Sequence, residues 1–211
     1  KVTSIKINEA YAHKDRLNLI VDHILDSYNA KTKDREFNAI FAVSQKTKDN
    51  QTGFIHDYYK LFKEKIKERD LDFKIATIFT YVPNENFDDR EKHSQELLDE
   101  YMADYNEMFG TNFDTETMGE YYRDVCKRMK NRDIDLLLVI NMFLTGFDSK
   151  LLNTLYVDKN LEYHGLLQAF SRTNRICNPR KSHGNIICYR SLHEKVDEAI
   201  ALFSNNTPPQ L

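Results

Sequence analysis

The chain has 211 residues, 41% of them hydrophobic and 30% charged, with 13 Phe and 12 Tyr. That length fits one domain with appendages, and the aromatic content supplies a core beneath a charged surface, which excludes a globally disordered chain. A formal net charge of −3 neither requires nor excludes nucleic acid, because a local basic stripe on a near-neutral domain is enough to hold it.

The first dozen residues show no clear period. From Leu17 onward the apolar residues Leu17, Ile20, Val21, Ile24, Leu25 and Tyr28 fall at helical spacing, and the polar stretch 31–36 breaks the helix. Residues 37–43 (FNAIFAV) are a nearly continuous apolar run, as expected of a strand buried on both faces. A helix over 52–69 follows, with Phe54, Tyr58, Leu61, Phe62 and Ile66 inward, and then a second buried strand over 73–80. Strand, helix, strand with short joins predicts a parallel α/β sheet flanked by helices.

The stretch 84–132 interrupts that rhythm. It reads as two helices, about 90–109 and 116–131, parted by Gly110, the second opened by a capping box from Thr117 to Glu120. Its length predicts a helical insertion packed on the edge of the sheet. The α/β pattern then returns as a strand over 135–140 (DLLLVI), a loop, a strand over 154–157 and a helix over about 163–175. A strand at 185–189 and a helix from Leu192, with Ser191 and Glu194 as a second capping box, complete the reading, and the tail NNTPPQL is expected to fray.

Cys126, Cys177 and Cys188 are widely spaced and odd in number, so a reducing cytoplasm is expected rather than a disulfide framework. Together with His183 and His193 they lack a CxxC pair, and no metal site is expected. No run approaches the roughly 20 apolar residues of a membrane helix. The chain opens on Lys1 without a signal-peptide pattern, which reads as a piece of a longer protein.

In a parallel α/β sheet ligands gather at the carboxyl ends of the strands. In the loop NMFLTGFDSK, Gly146 permits a tight backbone and Asp148 supplies an acceptor for a ribose hydroxyl or a cation; a plain polar turn is the other reading. In the helix HGLLQAFSRTNR, Gln168, Arg172 and Arg175 fall within one stripe at about 100° per residue, while Leu166, Ala169, Phe170 and Thr173 fall opposite. The stripe is either a solvated charged face or a fork for phosphate oxygens, with two guanidiniums and no carboxylate at helical spacing.

The order of these segments resembles the last two motifs of superfamily 2 helicases. The block LTGFDSKLLNTLYVDKNLEYHGLLQAFSRTNR is similar to the motor subunit of type I restriction-modification enzymes; SHGNIICYRSLHE and the earlier FNAIFAVSQ continue the likeness over roughly residues 36–203. The resemblance implies the second RecA-like lobe of an ATP-dependent DNA translocase over 36–204, preceded by a lead-in linker and helix (1–35) and followed by a tail (205–211). It implies arginine fingers at Arg172 and Arg175, nucleotide contacts from Gly146, Asp148 and Gln168, and DNA-backbone contacts from Ser44, Gln45, Thr80 and Thr145.

ATP and Mg²⁺ are the implied cofactors. This chain has neither GxxxxGK[ST] nor a DExH-type segment, so they would be held mainly by a first lobe that lies elsewhere, and the fragment alone is expected to be inactive. The implied partners are double-stranded DNA, that first lobe, and methyltransferase and specificity subunits, in a bacterial or archaeal cytoplasm without membrane contact. The chain departs from the general superfamily pattern at Ile140-Asn141 (often Thr-Asp), Thr145 (often Arg), Lys150 (often Pro), and Ser171 and Asn174 (often Gly). Two other readings are a second lobe of a different superfamily 2 helicase and a non-catalytic interaction domain derived from one.

Overall fold

The computed structural model describes residues 7–44, 54–79, 89–140, 142–144, 146–161 and 163–203. In chain order the elements are α1 (Ile7–Ala12), α2 (Lys14–Lys31), β1 (Asn38–Val43), α3 (Ile55–Glu68), β2 (Ile75–Ile78), α4 (Asp89–Phe109) and α5 (Met118–Asn131). There follow β3 (Leu136–Val139), β4 (Leu152–Asp158), α6 (Tyr163–Phe170), a 3₁₀ turn (Ser171–Thr173), β5 (Asn185–Cys188) and α7 (His193–Phe203). The tail, Gln45, Thr80 and Thr145 lie outside the described residues.

The strands form one five-stranded sheet in the order β2-β3-β1-β4-β5, every pair parallel. The α/β class expected from the apolar runs is therefore the one observed. Its centre is β1, whose residues are all buried between β3 and β4, with Ala39 in register with Leu136 on one side and Thr154 on the other. A strand covered on both faces has no solvent side to require polar alternation, which is why NAIFAV is continuous.

Helix α2 buries Leu17, Ile20, Val21, Ile24 and Tyr28 in the same core as the sheet. The Tyr28 hydroxyl donates to the carbonyl oxygen of Asp135 (2.7 Å). The Asp135 carboxylate, almost wholly buried before β3, accepts from Arg35 (2.8 Å), Arg132 (3.0 Å) and the backbone N–H of Lys74 (2.8 Å). These bonds tie the turn into β1, the end of α5 and the approach to β2 to one carboxylate at the amino ends of the strands.

The stretch read as an insertion is the crossover joining β2 to β3, which are adjacent and parallel and so need a long connection between them. It packs at the β2 edge as expected: the Tyr121 hydroxyl reaches the carbonyl of Thr77 on β2 (2.7 Å), and Tyr101, Tyr105, Val125 and Met129 are buried. Gly110, at φ +65°, separates α4 from α5. The capping box at Thr117 does not form. The Thr117 hydroxyl engages Asp114 instead, accepting from its backbone N–H (2.9 Å) and bonding its carboxylate (2.9 Å), so the hydroxyl is spent on the loop before the helix. No described helix is long and apolar enough to cross a membrane.

Candidate functional site

Among its described residues, the connection from β3 to β4 contains no helix. It leaves the carboxyl end of β3, passes the width of β1 and enters β4 at its amino end, with Phe143, Leu144 and Phe147 buried on the way. Gly146 takes φ +73°, a left-handed conformation that a side chain resists, and this turns the chain so that Phe147 faces inward and Asp148 outward. Phe147 packs against Phe143, with ring centroids 4.5 Å apart and the planes tilted by 51°, directly before Asp148.

Helix α6 runs from the far end of β4 back toward this loop and stops at Phe170, earlier than the 175 expected from periodicity. The cause is local. The carbonyl of Gln168 accepts from the Ser171 hydroxyl (2.9 Å) and from Arg172 Nε (2.9 Å), and the carbonyl of Phe170 accepts from the Thr173 hydroxyl (3.2 Å). Side chains thus compete with the backbone donors that would extend the α-helix, and the chain tightens into the 3₁₀ turn. Thr173 is fully buried against Gly184, where a Cβ would fall 2.7 Å from the Thr173 carbonyl oxygen and closer still to its side chain. Of the apolar face expected, Leu166, Ala169 and Thr173 are buried and Phe170 is only partly so; the single helical stripe of Gln168, Arg172 and Arg175 is not formed, because Arg172 lies in the 3₁₀ turn and Arg175 beyond it.

Both guanidiniums nevertheless converge on the glycine loop. Arg172 Nη1 donates to the carbonyl oxygen of Phe147 (2.7 Å) and Nη2 to the Ser171 hydroxyl (3.2 Å). Arg175 Nε pairs with Asp148 Oδ1 at 2.7 Å, with the two side chains 56% and 48% exposed. Arg175 is therefore paired with an acid of its own domain, but that acid lies two residues from Gly146. The Arg175 side chain is more than half exposed, whereas Arg172 is engaged through all three nitrogens.

Gly146, Asp148, Gln168, Arg172 and Arg175 are thus brought together. Ser44 is not among them. It lies at the carboxyl ends of β1 and β4, where its N–H and hydroxyl meet the carbonyl of Asp158 (3.1 and 3.3 Å). The expectation that all these groups gather at the carboxyl ends fails for the loop and turn, because the β3–β4 connection and α6 both run toward the amino ends of β4 and β5.

Two features escaped the sequence. Asp158, wholly buried at the end of β4, accepts from Arg16 Nη2 (2.6 Å), Tyr58 (2.7 Å) and Arg190 Nε (3.0 Å). Burial alone would raise its pKa, but bonds from Arg16, Tyr58 and Arg190 outweigh that and hold the carboxyl below its ordinary value. Tyr11 lies against both arginines, 5.0 and 4.2 Å from its ring centroid. Lys181 is also buried, and burial pushes its ammonium down to about 8, with Cys177 and Asp148 pulling the other way. The partners of both groups are remote in sequence, so no spacing announces them. Among the described residues, no three His, Cys, Asp or Glu side chains are placed to hold a metal ion.

Residues 35–191 match the family described as "Type I restriction enzyme subunit R domain 3". The chain is 43% identical over 212 residues to the "Type I restriction enzyme SauCOLORF180P endonuclease subunit" of Staphylococcus aureus (strain COL), an alignment covering 96% of this chain and 22% of that protein. Identity is also 43%, over 210 residues and with the same coverage, to the "Type I restriction enzyme SsaAORF53P endonuclease subunit" of Staphylococcus saprophyticus subsp. saprophyticus. The chain therefore spans about a fifth (22%) of the length of these curated relatives. Among solved structures, "Mss116p DEAD-box helicase domain 2 bound to an RNA duplex" superposes with a TM-score of 0.49 at 15% identity, covering 92% of this chain and 57% of that one.

Proposed function

Because this chain belongs to the family of type I restriction enzyme subunit R domain 3, we propose that it is the second RecA-like lobe of a DNA-translocating ATPase. The observation that carries the reading is the convergence of Arg172 and Arg175 on the Gly146–Asp148 loop. A first lobe elsewhere in the parent protein would hold ATP and Mg²⁺ and present the triphosphate to this loop and turn. ATP supplies the phosphoryl transfer that drives the cycle.

The residues present fit that task. The Arg175 side chain is more than half exposed while its Nε is held by Asp148, so the guanidinium is anchored at one nitrogen and still open to a ligand. A planar fork of N–H donors suits phosphate oxygens, and such a group placed where charge develops raises phosphoryl-transfer rates by ~10³-fold or more. Arg172 differs. It donates to two backbone carbonyls and one hydroxyl, and so braces the turn against the loop while keeping its charge near the same place. Gln168 is exposed beside it and is assigned to the nucleotide. Movement of Asp148 would be passed to β4 through the short run-in that follows it.

Ser44, at the carboxyl end of β1, and Gln45, Thr80 and Thr145 are assigned to the DNA backbone, contacts that grip without reading sequence. Duplex DNA, the first lobe, and methyltransferase and specificity subunits are the proposed partners in a prokaryotic cytoplasm. This lobe alone is proposed to be inactive.

The test is DNA-stimulated ATP turnover by the full-length subunit carrying Arg172→Ala or Arg175→Ala. A loss of about 10²-fold or more in kcat is expected for Arg175→Ala; near-normal turnover in both variants would remove the finger assignment. The Arg175–Asp148 pair favours a second reading, in which both arginines only staple loop to turn and the lobe is a docking surface. Normal turnover with a lowered melting temperature would favour it.

A further inference from the structure

The segment 174–184, which carries Arg175 from the 3₁₀ turn into β5, has no helix or strand of its own, yet it is tied down along its length. Asn178 turns it: its Oδ1 accepts from the backbone N–H groups of Arg180 (2.9 Å) and Lys181 (3.0 Å), and its Nδ2 donates to Glu36 (3.3 Å). Gly184 closes the segment against Thr173.

The tie nearest Asp148 is Lys181. Its side chain is 1% exposed, and Nζ donates to the carbonyl oxygens of Lys150 (2.8 Å) and Leu152 (2.7 Å). Neither acceptor is a carboxylate. An ammonium taken out of water and bonded only to carbonyls is a poor source of stability, even with the Asp148 charge nearby. The arrangement delivers geometry instead. Lys150 lies in the short run-in that carries Asp148 and Leu152 opens β4 just after it, so one side chain fastens the segment holding Arg175 to the segment holding its partner. A free loop would let the exposed ion pair wander; the buried ammonium sets its register from behind.

We propose that Lys181 is a positioning residue for the Arg175–Asp148 pair, acting through the segment 174–184; the inference rests on the role given to Arg175 above. A misplacement of about 1 Å in a group that must meet a reacting phosphate lowers rate by as much as ~10²-fold.

In the full-length subunit, Lys181→Met keeps most of the stem and removes the ammonium. The kcat for DNA-stimulated ATP turnover is expected to fall about 10- to 100-fold, with KM for ATP and half-saturating DNA held within about twofold. Limited trypsin digestion read by mass spectrometry gives a signal independent of turnover. Cleavage after Arg175 or Arg180 is expected to be slow in the parent and fast in the variant. A kcat within about twofold of the parent, a rise confined to KM, or a segment as resistant to trypsin as before overturns the proposal. Should Lys181→Met not fold, Asn178→Ala releases the same segment at its turn and must give the same two signals. Arg175→Ala run beside them separates the two claims. Normal turnover there removes the reading of Arg175 and this inference with it, while a dead Arg175→Ala beside a fully active Lys181→Met removes only the role of Lys181.

Discussion

Arg172 Nη1 lies 2.7 Å from the carbonyl oxygen of Phe147, so the turn that ends α6 is fastened to the backbone of the glycine loop and not to any side chain on it. A carbonyl acceptor does not titrate and survives replacement of the residue that bears it. The Arg175–Asp148 contact has neither property, and the two arginines should therefore answer mutation differently.

Arg172→Ala removes donors to Phe147, Gln168 and Ser171 and is expected to cost about 1–3 kcal/mol of stability. Arg175→Ala breaks a half-exposed pair and should cost no more than about 1 kcal/mol. Thermal melts of the two variants check the ordering; equal melting temperatures would show that Arg172 is no brace.

Gly184 is required by proximity, not by its backbone angle. A methyl group there meets the Thr173 side chain and, at 2.7 Å, its carbonyl oxygen, and the carbonyl has nowhere to go. Gly184→Ala should destabilise by about 1–3 kcal/mol, with partial recovery in the Gly184→Ala, Thr173→Ala double variant. Urea midpoints of the single and double variants report the coupling, and independent effects would contradict the contact.

Asp158 gives the fold an acid sensitivity of definite sign. Its folded-state pKa is held below the unfolded value, so its contribution is complete at neutral pH and disappears as pH falls through the carboxylate range, below about 4. Asp158→Asn leaves Arg16 and Arg190 without their charge partner, Arg190 in a site only 7% exposed, and should cost about 3–5 kcal/mol at pH 7. Stability measured from pH 7 down to 3 should fall less steeply in the variant than in the parent. Parallel curves would mean that other carboxylates dominate acid unfolding.

Tyr121 tests whether α4 and α5 are an appendage or part of the framework. Tyr121→Phe loses one buried bond to Thr77 and should cost about 1 kcal/mol, whereas Tyr121→Ala opens a cavity under β2 and should cost about 3–5 kcal/mol. An alanine variant as stable as the parent would return the pair of helices to the status of an insertion.

The sheet was legible because strands buried on both faces leave a plain mark, and NAIFAV, IATI and LLLV all carry it. The adjacency of the glycine loop and the two arginines was legible only through resemblance, since nothing in local spacing brings Arg175 to Asp148. The end of α6 was not legible: Ser171, Arg172 and Thr173 are compatible with a helix until their side chains take the carbonyls of Gln168 and Phe170. Thr117 misled for a related reason, as Asp114 offered its hydroxyl a nearer partner than the helix did. The Asp158 hub draws Arg16, Tyr58 and Arg190 from three distant stretches of chain, and period and motif have no purchase on it.

Among the described residues, the brace formed by Arg172 uses two carbonyls and a hydroxyl, so its positive charge is cancelled by no acid, while Arg175 and Asp148 cancel each other. Two guanidiniums and one carboxylate, with the Lys181 ammonium behind them, leave a net positive charge on this patch of a chain whose overall balance is −3. At physiological salt such a charge is felt over roughly 8 Å. A polyanion drifting past would thus be drawn to this corner before any bond had formed, and added salt would slow its arrival more than it would loosen its hold once seated.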